Sequence, residues 1–382
     1  MSKPMHKSIS SQFQSIADET AASHADWVDR GNWPLATMQA IQEAGLAGLL
    51  VPEHFGGLGQ GAEALLRATE ILGKRCSSTG LCFGMHSVGT AVIAANPSDE
   101  QANTYLRAIA AGQHITTLAL SEPGTGSHFY LPECQAREEE DSILLNGNKA
   151  FVTNGSHADS YVISVMADTE QQDLSCLIVP NDQEGMHWQG QWEGLGMRGN
   201  SSIGLQLENV RVPKANLLGN EGDQIWYVFN VVAPYFLLAM TGVYLGIANA
   251  ALEETEQHLN QRKHSTTDNT LSQNSVLQFQ YAELWAKVER TRCLAHAAAQ
   301  AFDSGDPNAI TSVMTAKAEV ADMVTNVVND CMSLCGGIAY REGSKLHKLL
   351  RDARAAHVMS PTTNLLRIWV GRSLLGQPLL AD

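Results

Sequence analysis

Apolar residues recur at helical spacing through the first third of the chain. Leu35, Met38 and Ile41 repeat every three positions before a glycine-rich break, which is the spacing of a helix that buries one face. A second helical pattern runs from 62 to 74. These patterns predict a helical domain over residues 1–115.

The pattern changes over residues 116–220. Short runs of β-branched and aliphatic residues, such as YVISV at 161–165, alternate with turn signals such as NGN at 146–148. Long helical periods return over residues 221–382. The order predicts a multidomain α+β protein with an N-terminal helical domain, a middle antiparallel β barrel or sandwich, and a C-terminal four-helix bundle.

One stretch of the last part, Ile225 to Leu252, carries no charged residue. About 20 apolar residues are enough to span a bilayer. The stretch contains Asn230 and Pro234, however, and its flanks are acidic rather than rich in Lys and Arg. We therefore predict a central helix buried inside the bundle and no membrane span.

Composition narrows the possible partners and the compartment. The 382 residues carry 25 Lys+Arg against 40 Asp+Glu, a formal charge of −15, so general binding of nucleic acid is not expected. Seven cysteines include no CxxC pair and no zinc-ligand set. The sequence opens with polar residues and no apolar signal segment. We expect free thiols, no metal, and a reducing cytoplasm.

Several separate segments, each weak alone, carry a resemblance when taken in order. They are VPEHFGGLG at 51–59, SEPGTGS at 121–127, GNKAFVTNG at 147–155, GMRG at 196–199 with NVRVP at 209–213, and RDAR at 351–354. In this order and spacing the chain resembles the acyl-CoA dehydrogenase family of flavoproteins over nearly its whole length.

The resemblance implies a reaction and its participants. A carboxylate takes the α-proton of an acyl thioester, and the β-hydride goes to a flavin. The implied cofactor is FAD, with FMN as the alternative, and the implied substrate is an acyl-CoA or acyl-carrier protein. The implied partners are an electron-acceptor flavoprotein or a reductase, and further copies of the chain in a dimer or tetramer.

The resemblance also assigns cofactor-binding positions, with Arg262 reaching the flavin of a neighbouring subunit. These positions are Leu118, Leu120, Ser121, Ser127, Phe151, Thr153, Arg262, Thr362 and Asn364. Taken singly, several fit a plainer interpretation: Phe151 as ordinary strand packing, Thr362 as a helix cap, and Arg262 as a surface charge.

The chain departs from the family at the catalytic base. Most members have Tyr-Glu-Gly-Thr shortly after RDAR, and this chain has Ser360 in place of the Glu. Some relatives carry the base on the long uncharged helix, where this chain has Phe236. A serine has no useful basicity near pH 7 without a partner base. His357 is one candidate partner, and the nearby Tyr235 is expected to be protonated. Ser360 is the candidate catalytic position, and its backbone N–H remains a candidate donor to the thioester oxygen.

A further departure concerns the adenosine end of the flavin. Relatives have an Arg-x-x-Phe-Gly segment where this chain reads RKHSTTDN at 262–269, and a Gln where it has Ser333. The missing aromatic and amide groups leave weaker FAD binding, FMN, or a flavin supplied by a reductase as possibilities.

Three functions follow from these observations. The first is α,β-dehydrogenation of an acyl thioester with an atypical or missing base. The second is a flavin-dependent monooxygenase of the same fold, which does not need the glutamate. The third is a catalytically inactive homologue that binds acyl thioesters.

Overall fold

Helices form the first part of the chain, in agreement with the periodicity. The computed structural model describes residues 5–263, 265 and 269–380. The helices of this part are α1 (Lys7–Ile16), α2 (Ala22–Asp29), α3 (Leu35–Glu43), α4 (Ala62–Arg75), α5 (Ser77–Ala95), α6 (Asp99–Gln101) and α7 (Arg107–Ala110). Helix α5 is buried from Ser77 to Ile93, so it forms the centre of this part.

A seven-stranded sheet forms the middle of the chain. Its strands are β1 (Thr116–Ala119), β2 (Gln135–Glu138), β3 (Ser142–Val152), β4 (Ser160–Ala167), β5 (Leu174–Pro180), β6 (Met186–Gln189) and β7 (Ile203–Pro213). The order is β1-β4-β2-β3-β7-β6, and β5 pairs with β4. Most pairings are antiparallel as predicted, but β4 runs parallel to β1 and to β2. Two parallel strands must be joined by a long connection. Here the strands that lie between them in the sequence form part of that connection.

The remaining helices form a C-terminal bundle. They are α8 (Gln224–Tyr227), α9 (Ala233–Gln261), α10 (Ser275–Asp303), α11 (Ala309–Cys335), α12 (Lys345–Ala353), α13 (Ala355–Val358) and α14 (Thr363–Leu374). By length and composition the helices Ser77–Ala95 and Gln224–Gln261 could each cross a membrane, but 89% of the apolar window of each is buried within the protein. The uncharged run is therefore a buried helix of the bundle, as predicted.

Helices α4 and α9 join the N-terminal part to the bundle by close backbone contact. A Cβ atom on Gly246 would lie 2.5 Å from the carbonyl oxygen of Glu70, and one on Gly73 would lie 2.9 Å from Val243 Cα. Only glycine permits this approach, so the two helices pack with their backbones touching.

A partly buried cluster of charges joins α4 to α10. His296 Nδ1 lies 3.2 Å from Glu63 Oε1, and its Nε2 lies 3.8 Å from Glu70 Oε2. Burial lowers the pKa of His296, but the hydrogen bonds to the two glutamates outweigh that effect and the pKa is raised overall. Arg292 donates to Glu70 from the same helix at 3.0 Å. The cluster holds the first part of the chain against the bundle.

The RDAR motif connects all three parts. Asp352, fully buried, accepts hydrogen bonds from the Ser77 hydroxyl at 2.5 Å and from the backbone N–H of Met197 at 2.6 Å. Arg351 donates to Asp29 at 2.7 Å and to the carbonyl oxygen of Leu195 at 2.9 Å. Burial raises the pKa of Asp352. These bonds therefore fix the positions of the N-terminal part, the sheet and the bundle relative to one another.

Candidate active site

A cavity of about 700 Å³ lies where the three parts of the chain meet. Helix α5, the ends of β1 and β3, the start of α9 and the segment between α13 and α14 form its walls. Its volume lies in the usual range for small-molecule sites. Eight of the ten residues singled out from the sequence line it. They are Leu118, Leu120, Ser121, Ser127, Phe151, Thr153, Ser360 and Thr362.

Phe151 forms an aromatic wall of the cavity. Its backbone has φ 54°, in the left-handed region, where a non-glycine residue is uncommon and often marks a functional position. The ring is 67% exposed and meets the Trp192 ring edge-on, with centroids 6.3 Å apart. Ordinary strand packing would bury a phenylalanine, so this exposed ring favours the binding of a flat ligand.

The loop over residues 121–127 supplies polar groups to the cavity. In the part of the chain that the structure describes, neither the hydroxyls nor the backbone N–H groups of Ser121 and Ser127 have a hydrogen-bond partner. Thr153, by contrast, is paired through its hydroxyl to Ser202 at 2.9 Å. The loop therefore presents free donors to a ligand.

A buried ion pair fixes this loop. Glu122 Oε1 lies 2.5 Å from Lys149 Nζ, and both side chains are buried. The carboxylate also accepts from the backbone N–H groups of Glu133 at 2.6 Å and Cys134 at 3.2 Å. Lys149 donates in addition to the Ser164 carbonyl oxygen at 2.5 Å. Because every charge of the pair is hydrogen-bonded, the pair serves to hold the loop in place.

The segment between α13 and α14 forms the opposite wall. Ser360 lies in it, and its Oγ is buried without a hydrogen-bond partner. Its backbone N–H has no acceptor within the described ranges either. Thr362 both lines the cavity and caps α14, its hydroxyl accepting from the Leu365 N–H at 3.4 Å. The two interpretations of Thr362 are thus compatible.

The suggested activation of Ser360 by His357 is wrong in this structure. The two ring nitrogens of His357 lie 3.2 Å from the Thr325 hydroxyl and 3.1 Å from the Thr363 hydroxyl, and the Ser360 hydroxyl forms no hydrogen bond with either nitrogen. Tyr235 packs against another ring outside the cavity lining. Burial raises the pKa of Tyr235 to about 12, so this phenol stays protonated at neutral pH.

No free carboxylate lines the cavity within the described part of the chain. Phe236, at the alternative base position, is a lining residue, and Glu122 is the single acid among them. Both oxygens of Glu122 are occupied by the donors described above. The cavity can therefore orient a ligand and stabilise charge on an oxygen, but its lining side chains offer no ready acceptor for a proton.

Two predicted positions lie outside the cavity lining. Arg262 is exposed at the carboxyl end of α9, and Asn364 is exposed in the first turn of α14. Their assignment to a flavin, that of a neighbouring subunit for Arg262, remains a prediction. Of the segment 262–269, residues 264 and 266–268 lie outside the described residues.

Some lining residues escaped the sequence reasoning. They are Leu81 and Met85 of α5, and Trp192, Asn200 and Ser202 of the irregular chain before β7. Helix α5 is buried on every face and carries small and apolar residues all round, so its pattern does not distinguish a cavity face from a packing face. Trp192 lies in a segment without helical or strand periodicity. The GMRG motif at 196–199 is the one sequence feature nearby that indicated a functional segment.

The expected flavin fits the residues that line the cavity. An exposed ring in a strained backbone position, free hydroxyl and N–H donors, and the amino end of the twelve-residue helix α14 converge on one cavity. Such a set suits a flat aromatic ring with electronegative edges.

Comparison with known proteins gives a consistent result. Models of the acyl-CoA dehydrogenase N-terminal, middle and C-terminal domains match residues 3–113, 117–210 and 236–375. The probable acyl-CoA dehydrogenase YngJ of Bacillus subtilis (strain 168) is 29% identical over 365 residues, covering 94% of this chain and 95% of the relative.

Solved structures share the whole fold. One, reported as "Electron transferring flavoprotein of Acidaminococcus fermentans: Towards a mechanism of flavin-based electron bifurcation", has a TM-score of 0.92 and 27% identity, covering 98% of this chain and 100% of the other. FMN-bound TdsC from Paenibacillus sp. A11-2 has a TM-score of 0.89 and 22% identity, covering 98% and 99%. At that identity the likeness to TdsC concerns the fold alone.

Proposed function

The chain belongs to the acyl-CoA dehydrogenase family of flavin oxidoreductases, and from this premise we propose that it acts on the CH–CH group of an acyl thioester. The observation that carries the proposal is the single cavity that gathers eight predicted site residues from three parts of the chain. We propose FAD as the cofactor, with FMN as the alternative. The thioester handle is coenzyme A or a carrier protein.

The residues of the cavity have separate roles in this proposal. A bound flavin would supply the acceptor for the β-hydride. Phe151 and Trp192 hold the ring system on one side, and the free donors of Ser121 and Ser127 bind its polar edges. The Ser360 N–H donates to the thioester oxygen and stabilises charge that develops there.

The α-proton is the unusual part of the reaction. A positioned base contributes typically 10²–10⁴-fold to the rate. None of the described lining side chains supplies one, because Glu122 is bound on both oxygens. We propose that the proton leaves to water or to a group of the substrate itself, so dehydrogenation of a simple acyl-CoA is slow.

The remaining partners follow from the same premise. We propose an electron-acceptor flavoprotein or a reductase as redox partner and a dimer or tetramer of this chain as the assembly. Large exposed apolar side chains on the bundle support an assembly, among them Tyr340 at 82% and Leu375 at 77% exposure. Seven unpaired thiols support a cytoplasmic location.

The test begins with the absorbance spectrum of the purified protein. A bound flavin shows its visible bands, and anaerobic addition of an acyl-CoA panel then bleaches them if an acyl thioester is oxidised. A yellow protein that no thioester bleaches contradicts the dehydrogenase proposal. A colourless protein that takes up neither FAD nor FMN contradicts every enzymatic proposal and leaves a thioester-binding homologue.

The missing base favours one second candidate, a flavin-dependent monooxygenase. That reaction does not draw a hydride from the substrate's β-carbon and needs no α-proton acceptor. Its mark is an oxygen-dependent product formed with NAD(P)H and a reductase. If such a product forms while acyl-CoA bleaches nothing, the second candidate replaces the first.

A further inference from the structure

A buried lysine lies behind the cavity wall that carries Ser360. Lys317, in α11, is fully buried. Its Nζ donates to the carbonyl oxygens of Ala356 at 2.9 Å and Pro361 at 3.1 Å. No carboxylate within the described ranges pairs with it. Buried charges are normally paired because desolvation is costly, so this unpaired ammonium needs a physical explanation.

The two carbonyl groups bracket the cavity segment. Residues 358–362 all line the cavity, and the bonds from Lys317 hold them at both ends. The peptide after Pro361 is trans, so its C=O and N–H point in opposite directions. Binding of the Pro361 oxygen to Lys317 therefore turns the Thr362 N–H away from α11. Neither this N–H nor that of Ser360 has an acceptor among the described residues.

The charges around Lys317 do not neutralise it. Asp322, on the same helix, is bound by Arg367. Glu319 lies 3.8 Å from the same Arg367. His357 faces this region, with its Nε2 3.7 Å from Asp322 Oδ1. Burial lowers the pKa of His357; Asp322 opposes that effect, and the nearby positive groups add to it. Arg354 adds positive charge. Within the described ranges these acidic groups pair with Arg367 and His357, and none forms a salt bridge with Lys317.

We propose that Lys317 is a positioning residue that also supplies a buried positive charge, preparing the wall for an oxygen anion of the ligand. In this role it aims the free N–H groups of the segment into the cavity and favours the enolate form of a thioester. An enolate forms when the α-carbon loses a proton and the negative charge moves to the thioester oxygen. This inference rests on the proposed function.

The missing base gives this role its importance. Without a carboxylate to take the α-proton, the barrier depends on how acidic the bound thioester becomes. A preorganised positive charge in a low-dielectric site stabilises a developing oxyanion far more than it does in water. Burial lowers the pKa of Lys317 to about 8, so the group is still charged at neutral pH.

The probe for this role is acetoacetyl-CoA. Its α-proton is acidified by the 3-oxo group and leaves without an enzymatic base, and its enolate has its own absorbance. The measurement is the pKa of acetoacetyl-CoA bound to the flavin-containing protein, read from that absorbance below about pH 8, where Lys317 is protonated. The variants are Lys317→Met and, where that protein does not fold, Lys317→Gln.

A matched control is available in Lys348→Met. Lys348 also donates to a backbone carbonyl, that of Ala25 at 2.9 Å, but it lies on α12 outside the cavity lining. We expect the bound pKa to rise by about one unit, tenfold in the ionisation constant, in the Lys317 variant and to stay unchanged in the control. A purely structural role would lower the affinity for thioesters in general without moving this pKa.

The outcomes separate the two proposals. An unchanged bound pKa in the Lys317 variant, with acetoacetyl-CoA still bound, overturns the role of Lys317 and leaves the proposed function standing. Failure of the unaltered flavin-containing protein to bind acetoacetyl-CoA overturns the acyl-thioester function, and this inference falls with it.

Discussion

Placing a carboxylate at position 360 should create or raise dehydrogenase activity. Ser360 lines the cavity, and its Oγ is buried without a partner, so no existing hydrogen bond is lost on substitution. A glutamate adds only a few heavy atoms to the wall of a cavity of about 700 Å³. The Ser360→Glu side chain therefore has room to reach a bound α-carbon.

The expected gain follows from two opposing effects. A positioned base is worth about 10²–10⁴-fold, or about 3–5 kcal/mol of barrier. Burial will raise the pKa of the new carboxyl, while protonated Lys317 behind the segment will lower it. A glutamate normally titrates near 4.3, so it stays mostly ionised at pH 7 unless its pKa rises by more than about two units. We therefore expect at least about 10²-fold faster reduction at pH 7.

Anaerobic stopped-flow absorbance measures this gain as the rate of flavin bleaching by butyryl-CoA and octanoyl-CoA. Ser360→Gln is the matched control, because it has nearly the same size and no basicity. The reasoning is refuted if the Ser360→Glu protein keeps its flavin, binds the thioester and is bleached no faster than the control. That result would mean that position 360 does not face an α-carbon as it does in the family.

Three further predictions concern buried or partly buried charges. Lys149→Met leaves Glu122 buried and unpaired, so it should lower the free energy of unfolding in urea by about 3–5 kcal/mol, and adding Glu122→Gln should recover part of the loss. His296 has a raised pKa, so its stabilising contribution is present below about pH 6.5 and is lost as pH rises through its folded-state pKa. The thermal stability deficit of His296→Gln should accordingly shrink at higher pH. Burial lowers the pKa of Lys317 from 10.5 to about 8, so the free energy of unfolding should rise by about 3 kcal/mol as the pH increases from about 8 to about 10.5. The Lys317→Met protein should lack this gain. Equal pH profiles of stability for the two proteins would contradict the prediction.

The parts of the site carried by local motifs were predictable from the sequence. Phe151 and Thr153 lie at the end of β3, and Ser121 and Ser127 lie in the loop that follows β1, where short motifs of turn residues mark strand ends. The Ala150 N–H donates to the Ser121 carbonyl oxygen at 2.7 Å, and the Thr117 hydroxyl donates to the Thr153 carbonyl oxygen at 3.0 Å. These bonds bring the two segments together in one cavity. The burial of the uncharged run 225–252 was equally predictable, because a long apolar segment with acidic flanks is expected in a protein core.

The sequence pattern does not predict the proposed role of Lys317. In the sequence it lies in the run TAKAE at 315–319, which looks like the polar face of an ordinary helix. Its partners are two backbone carbonyls, and every residue type carries a carbonyl, so no side-chain pattern marks them. The parallel pairing of β4 was missed for a related reason, since sequence alternation predicts a strand but not its neighbour.

The cavity has free hydrogen-bond donors for a ligand but no free carboxylate among its described lining residues. Glu122 is not able to act as the base. Moving its carboxylate toward a ligand would break the contact with Lys149 and two backbone hydrogen bonds, each worth about 1.5–3 kcal/mol when a charged group is involved. That cost is comparable to the whole benefit of a base. Since no described lining side chain is a free base, the proton acceptor in the proposed dehydrogenation is water or a part of the substrate. Phe151 and Val358 border the cavity and are 67% and 61% exposed, so in the proposed reaction water has access to the cavity past these two side chains.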